Sequence, residues 1–287
     1  DKCFEDAEIK ILVGCAPCQP FSTYSYKNKK NKKWRLLYEF GRLIKETKPH
    51  VVSMENVPRL ANFSKTTVFK DFMNLLEEEG YQVSYQIVHC PDYGIPQNRK
   101  RLVLLASKLG NIELIPKTHS PENYLTVKDT IGNLEPLKSG ETSKHDPVHR
   151  ASQLSPLNLK RIKQSKPGGS WKDWDESLRL KCHKQSSGKT YVSVYGRMKW
   201  DEPAPTMTTH CTGIGNGRFG HPEQDRAITL REAALFQTFP KNYKFFEPKS
   251  NFTVKTISTH IGNAVPVKLG QVIAQSIKKH LKSVSYN

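Results

Sequence analysis

The chain has 287 residues, of which 36% are hydrophobic and 25% are charged, enough for one large domain or two modest ones. No apolar run approaches the roughly 20 residues that a membrane-spanning helix needs. The first ten residues, DKCFEDAEIK, are too acidic for a signal peptide. These features exclude membrane-spanning classes and predict a soluble globular protein. The net charge of +18 predicts a polyanionic partner such as nucleic acid.

Strands and helices alternate in the first part of the chain. The predicted elements are strands at 9–14, 48–58, 81–90 and 101–107 and amphipathic helices at 34–47 and 67–80. Gly80 is a typical helix stop. This alternation predicts an α/β fold with a doubly wound sheet, whose first strand we expect to be buried.

Candidate chemical groups lie beside three of these strands. In a doubly wound sheet, reactive groups sit at the carboxyl ends of parallel strands, and Cys18 and Glu55 each follow such an end. Arg99 and Arg101 instead precede or open the strand at 101–107. They can join the other two only if this strand runs antiparallel, and the short loop before it allows a hairpin. We therefore predict a mixed sheet.

The pattern changes after the first 118 residues. Residues 119–225 are rich in Ser, Pro, Gly, Lys and His and contain few clear helices. Regular structure returns with a capping box formed by Thr229 and Glu232, and a final amphipathic helix follows. We predict one domain over 1–118, a second and irregular domain over 119–235, and a return to the first domain over 236–287.

The six cysteines are too few for a disulfide scaffold and favour a reducing, cytoplasmic location. Cys15 and Cys18 have the Cys-x-x-Cys spacing of a zinc site, but no second pair with suitable spacing follows, so we expect no metal. A redox pair is disfavoured because prolines flank Cys18, where a helix would have to begin. Cys15 is expected to be a buried apolar residue. Cys18 lies after a strand, between prolines and before basic residues, and these conditions favour a thiolate nucleophile.

The sequence Pro-Cys-Gln-Pro-Phe-Ser at 17–22 resembles the catalytic loop of the cytosine-5 DNA methyltransferases. Four further motifs of that family follow in the family's order. They are Glu-Asn-Val at 55–57, Gln-x-Arg-x-Arg at 97–101, Arg-Glu at 231–232 with Phe-Pro at 239–240, and Gly-Asn-Ala-Val-Pro at 262–266. The resemblance spans about residues 9–280. It implies the mixed, Rossmann-like sheet of S-adenosylmethionine-dependent methyltransferases, with a target-recognition domain at 119–235.

The resemblance implies a catalytic role for four residues. Cys18 would add to C6 of cytosine, and Glu55 would give N3 a proton or a hydrogen bond, a role toward which burial would raise its pKa. Arg101 would hold the cytosine O2. Arg99 would orient the cysteine side of the site and a nearby phosphate.

The implied partner is double-stranded DNA from which the target base swings out. A run of lysines after Cys18 would then pair with phosphates, and residues of the catalytic loop and the irregular domain would also contact DNA. The predicted DNA-binding residues are Gln19, Ser22, Lys27, Lys29, Lys30, Lys32, Lys33 and Arg218. His210 and Lys199 are weaker candidates.

S-adenosylmethionine is the implied methyl donor. Pro17, Leu36, Asn263 and Ala264 match family positions beside it, but the family's Gly-rich loop has no counterpart in these 287 residues. We therefore expect the sheet to be incomplete at its N-terminal side, with the missing part supplied by a preceding segment or a separate chain. We also expect these 287 residues alone to bind S-adenosylmethionine weakly or not at all, which calorimetry tests.

The sequence therefore predicts a DNA cytosine-5 methyltransferase of a bacterial restriction-modification system, located in the cytoplasm at the nucleoid. A cognate restriction endonuclease is a candidate partner, on which the sequence itself is silent. Two alternatives stay open. One is a transfer-RNA cytosine-5 methyltransferase of the same architecture, although its usual Cys-Phe-Thr signature does not occur here. The other is a noncatalytic DNA-binding subunit that needs a partner chain for the cofactor.

Overall fold

The computed structural model describes residues 7–16, 35–62, 67–186, 188, 190–247 and 253–284. The chain divides into two compact units. Unit 1 consists of Asp1–His89, Lys100–Lys117 and Leu269–Asn287, and unit 2 consists of Cys90–Arg99 and Thr118–Lys268. The domain limits inferred from the sequence stay a prediction.

A four-stranded mixed sheet forms the centre of unit 1. Its strands are β1 (Ile11–Gly14), β2 (Val51–Asn56), β3 (Gln82–His89) and β5 (Lys100–Ser107), in the spatial order β1-β2-β5-β3. β1 and β2 are parallel, whereas β5 is antiparallel to both of its neighbours. The predicted mixed sheet is therefore confirmed, together with the antiparallel direction of the strand that carries Arg101.

Helices lie on both faces of this sheet. The helices of unit 1 are α1 (Leu36–Thr47), α2 (Val68–Glu78) and the larger part of α8 (Val267–Val284). Leu37 and Phe72 of the first two helices pack with Met54 of β2 in one buried core. On the opposite face, His280 of α8 is 2.7 Å from the hydroxyl of Ser107. This is the doubly wound arrangement that the sequence predicted.

The first strand departs from its predicted burial. β1 forms where expected, but its residues alternate between exposed and half-buried, and Val13 is 62% exposed. Cys15 is exposed as well, so its assignment as a buried apolar residue was wrong. The reason is topological, because β1 is an edge strand of the described sheet and is paired only with β2.

Unit 2 consists mostly of loops and short elements. Its helices are α3 (Val127–Ile131), α4 (Pro156–Gln164), α5 (Lys181–Lys184), α6 (Leu230–Phe236) and α7 (Val254–Asn263), and its strands are β4 (Gln97–Asn98) and β6 (Ala204–Pro205). The predicted capping box of Thr229 and Glu232 opens α6. No helix among the described residues is long and apolar enough to cross a membrane.

A buried guanidinium holds the loops of unit 2 together. Arg197 donates to the carbonyl oxygens of Ile162, Ser165, His221 and Gln224 at 2.6–2.9 Å. Arginine carries five N–H donors and no acceptor, so one side chain can bind several main-chain carbonyl oxygens at once. Unit 2 therefore obtains order from side-chain hydrogen bonds where regular secondary structure is sparse.

Candidate active site

The carboxylate of Glu55 and the guanidinium of Arg101 are in contact in unit 1. Glu55 is opposite Val103 in the antiparallel ladder, and Arg101 lies two residues before Val103 on the same strand face. This register places Arg101 diagonally across from Glu55, a spacing that a long side chain spans. Its Nε lies 2.7 Å from Oε1 of Glu55. Strand pairing thus builds the contact between two of the predicted catalytic residues.

The pair is largely withdrawn from solvent. The side chains of Arg101 and Glu55 are 14% and 11% exposed. Attraction between opposite charges is stronger in such surroundings than in water. The arrangement offers a ligand a carboxylate and guanidinium N–H groups side by side, which suits a flat heterocycle with neighbouring polar atoms.

The predicted nucleophile lies outside the described residues. The same is true of Pro17, Gln19 and Ser22 and of the lysine run, Lys27, Lys29, Lys30, Lys32 and Lys33. The assignment of Cys18 as nucleophile therefore stays a prediction from the sequence.

Arg99 belongs to unit 2 and is 3% exposed. Its Nη1 donates to the carbonyl oxygen of Met207 at 3.0 Å, and its Nη2 donates to that of Ala264 at 3.4 Å. The amide of Met207 in turn donates to Oε1 of Gln97 at 3.0 Å. One short motif therefore binds both main-chain groups of Met207, which directly precedes the Gly-rich loop of unit 2, residues 208–220.

Two buried glutamines connect this motif to α6 and α7. Nε2 of Gln97 donates to Oε1 of Gln237 at 2.7 Å and to the carbonyl oxygen of Phe236 at 2.8 Å. Nε2 of Gln237 donates to the carbonyl oxygens of Ile261 and Ala264 at 2.6 Å and 3.1 Å. From the sequence, Gln97 was named only as the first residue of the Gln-x-Arg-x-Arg motif, without a role of its own, and Gln237 was not singled out. The spacing of Gln97 and Arg99 could have indicated that both side chains bind the same segment. The two residues are two positions apart, and alternate residues of an extended segment share a face.

The residues assigned to the methyl donor have different surroundings. Asn263 is exposed at the last position of α7, and Ala264 caps that helix. Leu36 is the first residue of α1 in unit 1 and is 40% exposed. The structure brings Ala264 and Arg99 into contact. The binding role of these three residues stays a prediction.

The Gly-Asn-Ala-Val-Pro motif needs its glycine for a close approach of main chains. A Cβ atom at Gly262 would lie 2.2 Å from the carbonyl carbon of Thr208 and 2.4 Å from the amide nitrogen of Thr209. Ser258, one turn earlier on α7, donates to the carbonyl oxygen of Thr209 at 2.9 Å. Helix α7 therefore packs directly against the start of the Gly-rich loop.

Both side chains of the Arg-Glu motif at the start of α6 form ion pairs within unit 2. Glu232 is fully buried and receives two hydrogen bonds from Arg226, at 2.7 Å and 2.8 Å. Burial alone would raise the pKa of Glu232, but the hydrogen bonds and charge of Arg226 outweigh it and hold that pKa below its usual range. Arg231 pairs with Asp146 through Nε at 2.5 Å. Arg226 was another residue that the sequence analysis did not single out.

The predicted DNA contacts of unit 2 lie in two places. Arg218 is half-buried, and its side chain lies 3.2 Å from where a Cβ of Gly196 would be. Lys199 is paired with Glu202 at 2.5 Å, whereas His210 is exposed. Within the described part of the chain, no group of three or more His, Cys, Asp or Glu residues is arranged to hold a metal ion.

Comparison with known proteins identifies the family. The sequence profile described as C-5 cytosine-specific DNA methylase matches residues 1–279. The chain is 58% identical over 281 residues to Type II methylase M.HgiDII from Herpetosiphon aurantiacus, covering 98% of this chain and 79% of that protein. It is 31% identical to Type II methyltransferase M1.HphI from Haemophilus parahaemolyticus, covering 95% and 69% of the two chains.

A solved structure shows the same fold. A prophage-encoded E. coli protein superposes with a TM-score of 0.70 at 21% identity, covering 97% of this chain and 81% of that one. The match of the family profile to nearly the whole chain agrees with the order of the five motifs and with the mixed sheet. The protein belongs to the C-5 cytosine-specific DNA methylase family.

Proposed function

We propose that this protein transfers a methyl group from S-adenosylmethionine to C5 of a cytosine in duplex DNA, with Cys18 as the nucleophile. The contact between Glu55 and Arg101 is the observation that carries the proposal. It supplies a hydrogen-bonding pair that fits two adjacent polar atoms of cytosine, N3 and O2. Membership of the methylase family supports the same reaction.

Cytosine C5 is a poor nucleophile until another group adds to the ring. In the proposed reaction the Cys18 thiolate forms a bond to C6, and the electron pair of the C5–C6 double bond attacks the methyl carbon. S-adenosylmethionine, as the methyl donor, supplies an electrophilic carbon and a sulfur leaving group. Removal of the C5 proton then restores the double bond and expels the thiolate, so the cysteine is regenerated.

Glu55 and Arg101 stabilise the negative charge that thiolate addition places on the ring. Arg101 N–H groups bind O2, and Glu55 binds or shares the proton at N3. Their mutual contact holds both groups in place before substrate arrives, which lowers the reorganisation needed during reaction.

Of the four residues predicted to bind the methyl donor, Leu36, Asn263 and Ala264 lie in the described part of the chain. Asn263 and Leu36 are accessible, and they offer an amide and an apolar side chain to a bound ligand. These two residues would hold part of S-adenosylmethionine. Ala264 would contribute through main-chain and methyl contacts, because its carbonyl oxygen already accepts from Arg99 and Gln237.

The proposed substrate is duplex DNA, and the proposed setting is a bacterial restriction-modification system in the cytoplasm. The net charge of +18 suits phosphate binding, and the lysine run after Cys18 would offset the cost of unstacking a base. The relatives from Herpetosiphon and Haemophilus are named as Type II methylase and methyltransferase, which supports a partner endonuclease with the same sequence preference.

Two measurements test the proposal. Exchange of the C5 hydrogen of cytosine with solvent reports thiolate addition without a methyl donor. Duplex DNA containing 5-fluorocytosine, incubated with S-adenosylmethionine and any partner chain, traps the covalent product. We expect both signals from the natural protein, neither from Cys18→Ser, and at least a hundredfold slower exchange from Glu55→Gln. Exchange that survives Cys18→Ser contradicts the mechanism, and a preference for transfer RNA over DNA contradicts the substrate.

A further inference from the structure

The outer edge of β3 in unit 1 is open. β3 pairs with β5 on one side and with no described strand on the other. Its eight residues include no Lys, Arg, Asp, Glu or Pro, although 25% of the chain is charged, and its register with β5 runs without a bulge. Charges, prolines and bulges are the usual means by which an edge strand avoids pairing with another chain. β3 has none of them and is therefore suited to accept a further strand.

The main chain of β3 presents alternate residues at this open edge. The amide of Lys108 donates to the carbonyl oxygen of His50 at 3.0 Å, so the even-numbered residues of β5 bond toward β2. The odd-numbered residues of β5 then bond toward β3, where each lies opposite an even-numbered residue. Tyr85 and Ile87, which are odd-numbered, therefore direct their N–H and C=O groups away from β5 and toward the open edge.

The same two residues expose apolar side chains beside that edge. Tyr85 and Ile87 are 50% and 45% exposed, and they share the sheet face on which α2 packs. Phe69 of α2 contacts the ring of Tyr85, with ring centroids 5.3 Å apart, so the helix covers this end of the face only in part. On the opposite face, a cavity of about 300 Å³ lies between β3 and residues 113–114. An added strand would bury the exposed apolar area and has room on both faces.

The two ends of β3 carry opposite charges. Residues 77–79, all glutamates, end α2 immediately before β3, and the last turn of α2 has no basic residue. A helix C-terminus favours cations, so three acidic residues there create a site for a positive charge. At the other end of β3, on the same sheet face, His89 lies opposite Lys100 of β5. A second copy of this edge in antiparallel orientation brings the basic end of each copy to the acidic end of the other.

We propose that two copies of this protein associate through β3, antiparallel, so that their sheets join. A two-fold axis at Gln86 places Tyr85 of each copy opposite Ile87 of the other, an aromatic–aliphatic pair that occurs twice. These two residues exchange main-chain hydrogen bonds, and Gln86 faces its counterpart. The net charge of +18 on each copy opposes association, and one strand pair is a small interface. The dimer is therefore weak, with a dissociation constant on the order of 10–100 μM.

Sedimentation equilibrium of the full chain, between about 5 and 500 μM, measures this association. We expect a monomer–dimer equilibrium in the natural protein. Ile87→Lys should raise the dissociation constant at least tenfold, because it removes apolar contact and adds one positive charge per copy to the interface. Leu157→Lys is the matched control, because Leu157 is 46% exposed on α4 in unit 2, and it should leave the dissociation constant unchanged. Circular dichroism establishes that both variants are folded.

A disulfide cross-link tests the register. Opposed residues that are not hydrogen-bonded in an antiparallel pair have Cα atoms about 4.5 Å apart, which a disulfide spans. Gln86→Cys should therefore give a covalent dimer under mild oxidation, whereas Lys45→Cys, exposed on α1, should cross-link no more than the natural protein. A natural protein that stays monomeric at all concentrations overturns the proposal. So does a dimer that Ile87→Lys leaves intact, or a Gln86→Cys variant that cross-links no more than Lys45→Cys.

Discussion

Gln97 and Gln237 form a direct amide–amide hydrogen bond at 2.7 Å although 140 residues separate them in the chain. Both side chains are fully buried. Together they satisfy main-chain groups of Met207, Phe236 and Ile261. The pair therefore joins the Gln-x-Arg motif, the Gly-rich loop and two helices of unit 2 in one network.

Replacing Gln237 by leucine should destabilise unit 2 strongly. Leucine is similar in size but leaves the carbonyl oxygens of Ile261 and Ala264 without this donor and removes an acceptor from Gln97. Buried polar groups without partners cost about 1–3 kcal/mol each, so we expect a loss of about 2–4 kcal/mol in the free energy of unfolding. Urea unfolding followed by tryptophan fluorescence measures it.

Gln82→Leu is the matched control, because it removes an exposed amide from β3. Its free energy of unfolding should stay within about 0.5 kcal/mol of the natural protein. Equal stability of Gln237→Leu and Gln82→Leu would show that the amide network contributes little.

Alanine substitutions at two glycines of consecutive helices should change the free energy of unfolding in opposite directions. A methyl group at Gly262 would meet the main chain of Thr208 and Thr209, so Gly262→Ala should cost about 1–3 kcal/mol through overpacking. Gly270 lies in α8 with open space where a Cβ would be, so Gly270→Ala should gain about 0.5–1 kcal/mol through helix propensity.

Thermal denaturation of both alanine variants compares the two sites in a single experiment. A gain in stability at Gly262 would mean that α7 can move away from Thr208 and Thr209 without cost.

His221 should make the protein sensitive to acid. Burial, opposed by the charge of Glu232, lowers the pKa of His221 from 6.5 to about 4. The unfolded chain therefore binds a proton at this site over a pH range in which the folded protein does not. Stability that is present above pH 6.5 is lost as the pH falls toward 4, by at most ~3 kcal/mol.

Chemical unfolding across this pH range tests the role of His221. The variant His221→Gln should be less stable at pH 7 but should lose less stability between pH 6.5 and 4 than the natural protein. His210→Gln, which alters an exposed histidine, should keep the natural slope. Identical slopes in all three proteins would assign acid sensitivity to other groups.

Arg101→Lys should impair catalysis while leaving the fold intact. Lysine keeps the charge but cannot contact Glu55 and a second acceptor through one planar fork. We expect the rate of C5 hydrogen exchange to fall about 10–100-fold, with DNA affinity changed less than threefold. Arg42→Lys, on the exposed face of α1, should leave the rate unchanged. A natural rate in Arg101→Lys would remove the guanidinium fork from the mechanism.

Much of the fold followed from local patterns. Periodicity predicted α1 and α2, and the apolar run at 48–58 predicted β2. The capping box at Thr229 followed from its spacing to Glu232. These elements are predictable because their signals lie within a few residues of each other. The exposure of β1 was not predictable from local patterns. Whether a strand is central or at an edge of a sheet depends on segments distant in the chain.

The amino-acid sequence by itself determined the family, through five motifs in a fixed order, and it determined that Cys18, Glu55 and the two arginines are the reactive groups to test. Only the tertiary structure decided which partners Glu55, Arg99 and Arg101 contact. The antiparallel register of β5 brings Arg101 to Glu55, whereas Arg99 is turned to the carbonyl oxygens of Met207 and Ala264. Contacts between residues far apart in the chain depend on strand register and packing, and no local pattern specifies those.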